Sequence, residues 1–107
     1  MKLELRDSWI EALRSGNYEQ TRGELYSNGS YCALGVLCDV AKVPYYETGR
    51  FRHQRAYGHE SKDRFKLKDS TMKRLDLLYS ETRVITRMND DECKTFDQIA
   101  DYVERNL

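Results

Sequence analysis

The sequence predicts a single α+β domain, mostly α, with four short helices around a central apolar helix (about 31–43) and one small β-hairpin (about 23–32). Three features of the chain carry this prediction. Residues 31–43, YCALGVLCDVAKV, contain only Asp39 and Lys42 as charged residues, which is too apolar for a surface element; the length of the run favours a buried helix over a buried strand. Capping-box patterns flank it on both sides, Ser8 with Glu11 and Thr95 with Gln98. Asn28–Gly29 between short apolar flanks is the strongest short-range hairpin signal. At 107 residues the chain suits one domain, 1–107, with one modest core.

The elements follow in chain order. Residues 7–15 read as a helix with Trp9, Ile10 and Leu13 on one face and Gly16 as its left-handed stop. Trp9 on such a stripe reads as core in preference to a ligand platform. Short strands are expected at 23–27 and 30–32. In the central helix Ala33, Leu34, Leu37, Val40 and Ala41 form a stripe of helical period. Gly35 there permits close approach of a neighbouring backbone, and Pro44 forbids continuation. Residues 44–68 read as a long basic-aromatic loop or irregular insertion, broken by Gly49 and Gly58. A helix is expected at 70–79, with Met72, Leu75, Leu78 and Tyr79 inward. Val84 and Ile85 then read as an extended link, and Asn89–Asp90 as a turn. The last helix starts at Thr95 and buries Phe96, Ile99, Ala100 and Val103.

Composition narrows the function classes. No apolar run reaches the roughly 18 residues of a membrane span, and residues 1–6 lack the apolar segment of a secretory signal. A cytoplasmic location is therefore expected. Net charge is zero, which argues against whole-body attraction to DNA or anionic lipid. Cys32, Cys38 and Cys93 are odd in number and form no C-x-x-C pair, so packed thiols are expected rather than disulfides or a metal site. A Cys32/Cys38/His53/His59 zinc site matches none of the usual spacings. No phosphate-binding glycine loop, nucleophile elbow or H-E-x-x-H motif is present. Neither a catalytic residue nor a cofactor is assigned.

Three blocks, WIEALRSGNYEQTRGEL, YCALGVLCDVA and MNDDECKTFDQIADYVERNL, together resemble a family of small uncharacterised phage and prophage proteins. They cover about half the chain. The resemblance implies a phage or prophage origin, hence the host cell cytoplasm, and a compact α+β domain; it brings no functional residues with it.

Charge distribution is the remaining guide to function. Residues 44–68 carry seven Lys or Arg against three acids, interleaved with Tyr45, Tyr46, Phe51, Tyr57 and Phe65. Residues 88–107 carry six acids against two bases. Guanidinium groups pair with phosphate oxygens and aromatic rings stack on bases. The expected function is therefore non-enzymatic capture of a phosphorylated, nucleotide-like ligand, in the phage setting a host antiviral signal. The expected binding residues are Arg50, Arg52, His53, Arg55 and Tyr57, supported by Tyr45, Tyr46 and Arg22, in a homo-oligomer. The alternative is inhibition of a host protein by direct protein–protein contact. Nucleic acid is a weaker partner on zero net charge.

Overall fold

The computed structural model describes residues 1–107. Helix α1 (Leu3–Arg14) leads into β1 (Glu19–Gln20), the hairpin β2 (Tyr26–Ser27) and β3 (Ser30–Tyr31), and helix α2 (Ala33–Val40). A second hairpin follows, β4 (Tyr45–Thr48) and β5 (Gln54–Tyr57), and then α3 (Asp69–Arg74), α4 (Tyr79–Asp90) and α5 (Phe96–Asn106). The predicted class, α+β and mostly α, is the one observed. The five strands form one sheet in the order β1-β3-β2-β5-β4, with β1 parallel to β3 and the other pairings antiparallel.

The apolar heart of the chain is α2, which packs against α1 and α4, while α5 packs on the same two helices. Its residues from Ala33 to Cys38 are all buried. It is shorter than the expected 31–43 because Tyr31 is drawn into β3, where it pairs with both Gln20 and Tyr26. Cys32 caps the helix instead, its Sγ accepting the Gly35 N–H at 3.4 Å. At the other end Lys42 turns left-handed, φ +56°, and the Val43 N–H returns to the Cys38 carbonyl. Pro44 therefore lies beyond the stop. The close approach expected at Gly35 is present: a Cβ there would sit 2.0 Å from the Leu25 carbonyl oxygen. Trp9 is core, fully buried, and its indole N–H donates to the Ala33 carbonyl at 2.9 Å.

Asn89, on α4, ties these parts together. Its Oδ1 accepts from Gln20 Nε2 (2.8 Å) and the Ala33 N–H (3.2 Å). Its Nδ2 donates to the Thr21 carbonyl (2.9 Å) and Asp90 Oδ1 (2.8 Å). Both donors and both acceptor sites of a buried amide are thus satisfied.

Several boundaries differ from the sequence reading. Helix α1 starts at Leu3, not at residue 7, because Leu5 adds a turn of contact with the core; Ser8 is therefore inside the helix. The 23–32 hairpin is confirmed around Asn28 (φ 50°) and Gly29 (φ 90°), with shorter strands, but it is one part of a larger sheet. The 44–68 segment, read as loop or irregular insertion, contains the β4–β5 hairpin. Its connection turns at Gly49 (φ +87°) and Arg52 (φ +58°), a non-glycine left-handed residue that local patterning does not announce. The helix expected at 70–79 ends at Arg74, and Tyr79–Asp90 is helix α4, where Val84–Ile85 read as an extended link and Asn89–Asp90 as a turn; Leu78 and Tyr79, expected inward, are exposed. The buried residues of α4 are Thr82, Ile85 and Asn89, at helical spacing, but two of the three are polar and hide the stripe. At α5 the capping box is realised in both directions, Gln98 N–H to Thr95 Oγ1 (3.2 Å) and Thr95 N–H to Gln98 Oε1 (2.9 Å).

Replacing Asn89 with leucine leaves the Thr21 carbonyl, the Ala33 N–H and the Gln20 amide without this partner. The expected loss is about 3 kcal/mol, from unpaired buried polar groups, measured as a lower urea midpoint with helix content retained under native conditions.

Candidate functional site

Side-chain alternation along β5 sends Arg55 and Tyr57 to the same face. The register opposes Tyr45 to Tyr57 and Glu47 to Arg55, so those β4 residues share that face. Tyr26 and Tyr31 are direct partners across β2 and β3, with ring centroids 4.9 Å apart. The outcome is a cation mounted among tyrosines. The Arg55 guanidinium lies 3.8 Å from the Tyr26 ring centroid and 3.9 Å from that of Tyr45. Its Nη1 donates to Tyr57 Oη at 3.1 Å and to Tyr31 Oη at 3.4 Å. Each ring contact contributes on the order of 1 kcal/mol. Arg55 is half-buried and makes no ion pair with Glu47, its cross-strand neighbour.

In front of Arg55 lies an open cleft of about 340 Å³ where the two hairpins meet. Arg52, His53 and Arg55 line it from one hairpin, and Tyr26, Asn28 and Gly29 from the other, with Glu47 as the acid on its wall. The seam is held by the Ser27–Gln54 strand pairing and by the Asn28 N–H, which donates to the His53 carbonyl at 2.8 Å.

The other residues expected at the site are placed as follows. Tyr45 covers one face of Arg55, and Tyr57 is buried behind it as hydrogen-bond acceptor. Arg50 is at the hairpin turn, its guanidinium 5.5 Å from the exposed Phe51 ring, and does not line the cleft. Tyr46 alternates to the opposite face, where its hydroxyl accepts the Glu60 N–H. Arg22 is exposed on the β1–β2 connection, outside the cleft. Tyr26, Tyr31 and Asn28 were missed by sequence reasoning. The cross-strand facing of Tyr26 and Tyr31 across the Asn28–Gly29 turn is the signal that points to two of them.

Burial pushes the Cys32 thiol up to about 12 and raises that of Cys38 as well. Cys93 is exposed. Tyr18, desolvated and donating to Asp39 Oδ2 at 2.5 Å, has its phenol pushed up to about 12. Burial also raises Tyr31 and Tyr57, although Arg55 opposes the shift in both.

A family model for a domain of unknown function, DUF8296, matches residues 1–67. The chain belongs to this family. The DUF8296 match spans α1, the whole sheet and α2, and so every residue of the hairpin cleft; α3, α4 and α5 lie beyond it. No curated protein and no solved structure matches the chain.

Two outcomes are expected. In the native protein a thiol reagent modifies Cys93 alone, and Cys32 and Cys38 react only after unfolding; rapid native modification of all three thiols would contradict their burial. Stability also depends on the raised phenols. Tyr18 holds its proton more tightly folded than unfolded, so its contribution is complete below pH 10 and is lost as pH rises toward 12. Urea midpoints are expected to be level to about pH 9 and to fall above it, less steeply in Tyr18→Phe.

Proposed function

We propose that the hairpin cleft takes a phosphorylated, nucleotide-like ligand and that the protein acts by binding it, without chemistry. The observation that carries this reading is Arg55. Its planar cation is locked between two rings, half-buried, and forms no ion pair, although Glu47 stands opposite it on the cleft wall. A charge held in this way is stabilised by an anion arriving from solution. Arg52 and His53 stand beside it at the cleft, and Asn28 offers a side-chain amide for a polar ring edge. His53, the cleft's imidazole, has no hydrogen-bonded carboxylate or hydroxyl, so the pairing that activates a nucleophile is missing.

The resemblance of the three sequence blocks to phage and prophage proteins supplies a setting for such capture. In the host cytoplasm the protein would withdraw a phosphorylated antiviral signal, as a homo-oligomer in which a second chain closes the open side of the cleft. A second reading, direct contact with a host protein, is favoured by one observation. Strand β4 is an exposed sheet edge bearing Tyr45 and Tyr46, and Phe51 beside it is 70% exposed. Edges and exposed aromatics of this kind suit a protein partner.

Calorimetric titration with nucleoside mono-, di- and triphosphates, beside native mass spectrometry of protein recovered from host cells, tests the proposal. Arg52→Ala with Arg55→Ala is expected to abolish binding while circular dichroism is unchanged. Arg55→Lys is expected to weaken it at least about tenfold, because an ammonium cannot fill a flat slot between two rings. Affinity unaffected by these changes overturns the reading. A stoichiometric host protein in place of a small molecule favours the second one.

A further inference from the structure

Two opposite charges stand side by side in the hairpin cleft and do not pair. Glu47 on β4 lies directly across from Arg55 on β5, and both line the cleft. The Gly58 N–H donates to the Pro44 carbonyl at 2.7 Å, so the hydrogen-bonded positions of this ladder fall at 44/58, 46/56 and 48/54. Glu47 and Arg55 therefore form a non-hydrogen-bonded pair, the kind in which cross-strand side chains approach most closely. Opposite charges at such a position ordinarily attract. Arg55 is instead held between the Tyr26 and Tyr45 rings, with Nη1 committed to the Tyr31 and Tyr57 hydroxyls. Glu47 is left exposed, in no ion pair and no side-chain hydrogen bond.

We infer, resting on the capture function proposed above, that Glu47 reads the base of the ligand and that this base is guanine. The charged lining of the cleft is Arg52 and Arg55 against Glu47, with the His53 imidazole beside them and no ion pair among them. Glu47 repels a simple anion, and the two guanidinium groups repel a simple cation. An occupant that is anionic at one end and rich in N–H donors at the other satisfies both. A nucleotide has this polarity, its phosphate toward the cations and its base toward the carboxylate.

The choice of base follows from the chemistry of the carboxylate. When ionised it accepts and cannot donate, and its two oxygens suit two neighbouring N–H groups. Guanine is the common base with such a pair on one edge, N1–H beside the exocyclic amine. Adenine and cytosine set a ring-nitrogen acceptor next to their amine, so one carboxylate oxygen would face a lone pair. Uracil and thymine have a single N–H between two carbonyls. Beside its donor pair guanine carries the acceptor O6. The Asn28 amide lines the cleft from the other hairpin, makes no side-chain hydrogen bond and can donate to that oxygen. Glu47 and Asn28 thus supply the two acceptors and the donor that guanine's pairing edge requires.

The test is calorimetric titration of the full chain with guanosine, inosine and adenosine 5′-diphosphates at physiological ionic strength. The inosine compound differs from the guanosine one only in lacking the exocyclic amine, so the comparison removes one donor without altering the protein. Guanosine diphosphate is expected to bind at least about tenfold more tightly than adenosine diphosphate, with the inosine compound between them. Glu47→Gln, at an exposed position, exchanges one acceptor oxygen for an amide and should bring the guanosine compound within about twofold of the adenosine one. Equal affinity for the three, or preference for adenosine diphosphate, overturns the guanine assignment and leaves nucleotide capture standing. A full guanine preference retained by Glu47→Gln overturns the role of Glu47. No binding of any of the three up to about 1 mM overturns the assignment together with the capture function on which it rests.

Discussion

The amide of Asn89 is the constraint on which the other elements depend. It projects from α4 to the end of β1, at Gln20 and Thr21, and to the first residue of α2, Ala33. Residues far apart in sequence are thereby fixed at hydrogen-bond distance inside the protein. The peptide groups of Ala33 are held from both sides, the N–H by Asn89 and the carbonyl by Trp9. In a low-dielectric interior such bonds are strong, and the greater energy is the cost of leaving any of them unmade. Because the start of α2 is set in this way, so is its contact with the sheet, where Gly35 meets the Leu25 carbonyl with no room for a Cβ.

The cleft is downstream of that contact. Tyr31 immediately precedes Cys32, the N-cap of α2, so the position of the helix determines where β3 runs and where the Tyr31 and Tyr26 rings stand. Those rings and Tyr45 then define the slot for Arg55. The second hairpin meets the first along a short seam, one strand pairing and the Asn28–His53 backbone bond. Short seams open more readily than cores, and this one carries Arg52 and His53 at its mouth. The cleft lies wholly within the residues that match DUF8296.

Much of the local structure was legible. The Thr95–Gln98 capping box, the Asn28–Gly29 turn, the burial of Trp9 and the tight approach at Gly35 are each encoded in a few adjacent residues, and each is present. Helix α4 was not legible because its inward positions include Thr82 and Asn89, which score as polar although they are buried. The β4–β5 hairpin was hidden by charged residues within its strands and by a turn that uses Arg52 in a left-handed conformation. At the candidate site the basic residues stood out in the sequence. Their setting did not, since Arg55 owes its orientation to Tyr26, from another hairpin, and to Tyr45 across its own.

By itself, the sequence determined the fold class, the apolar helix at the centre, the first hairpin and the concentration of cations in the middle of the chain. Caps, stripes and turns act over one helical turn or one strand pair, so adjacent residues carry their whole cause. The tertiary structure alone decided that Asn89 would meet Ala33, that four tyrosines would surround Arg55, and that Arg50 and Arg22 would stand outside the cleft. Those outcomes depend on how helices and strands pack, and packing brings together residues that no local pattern relates.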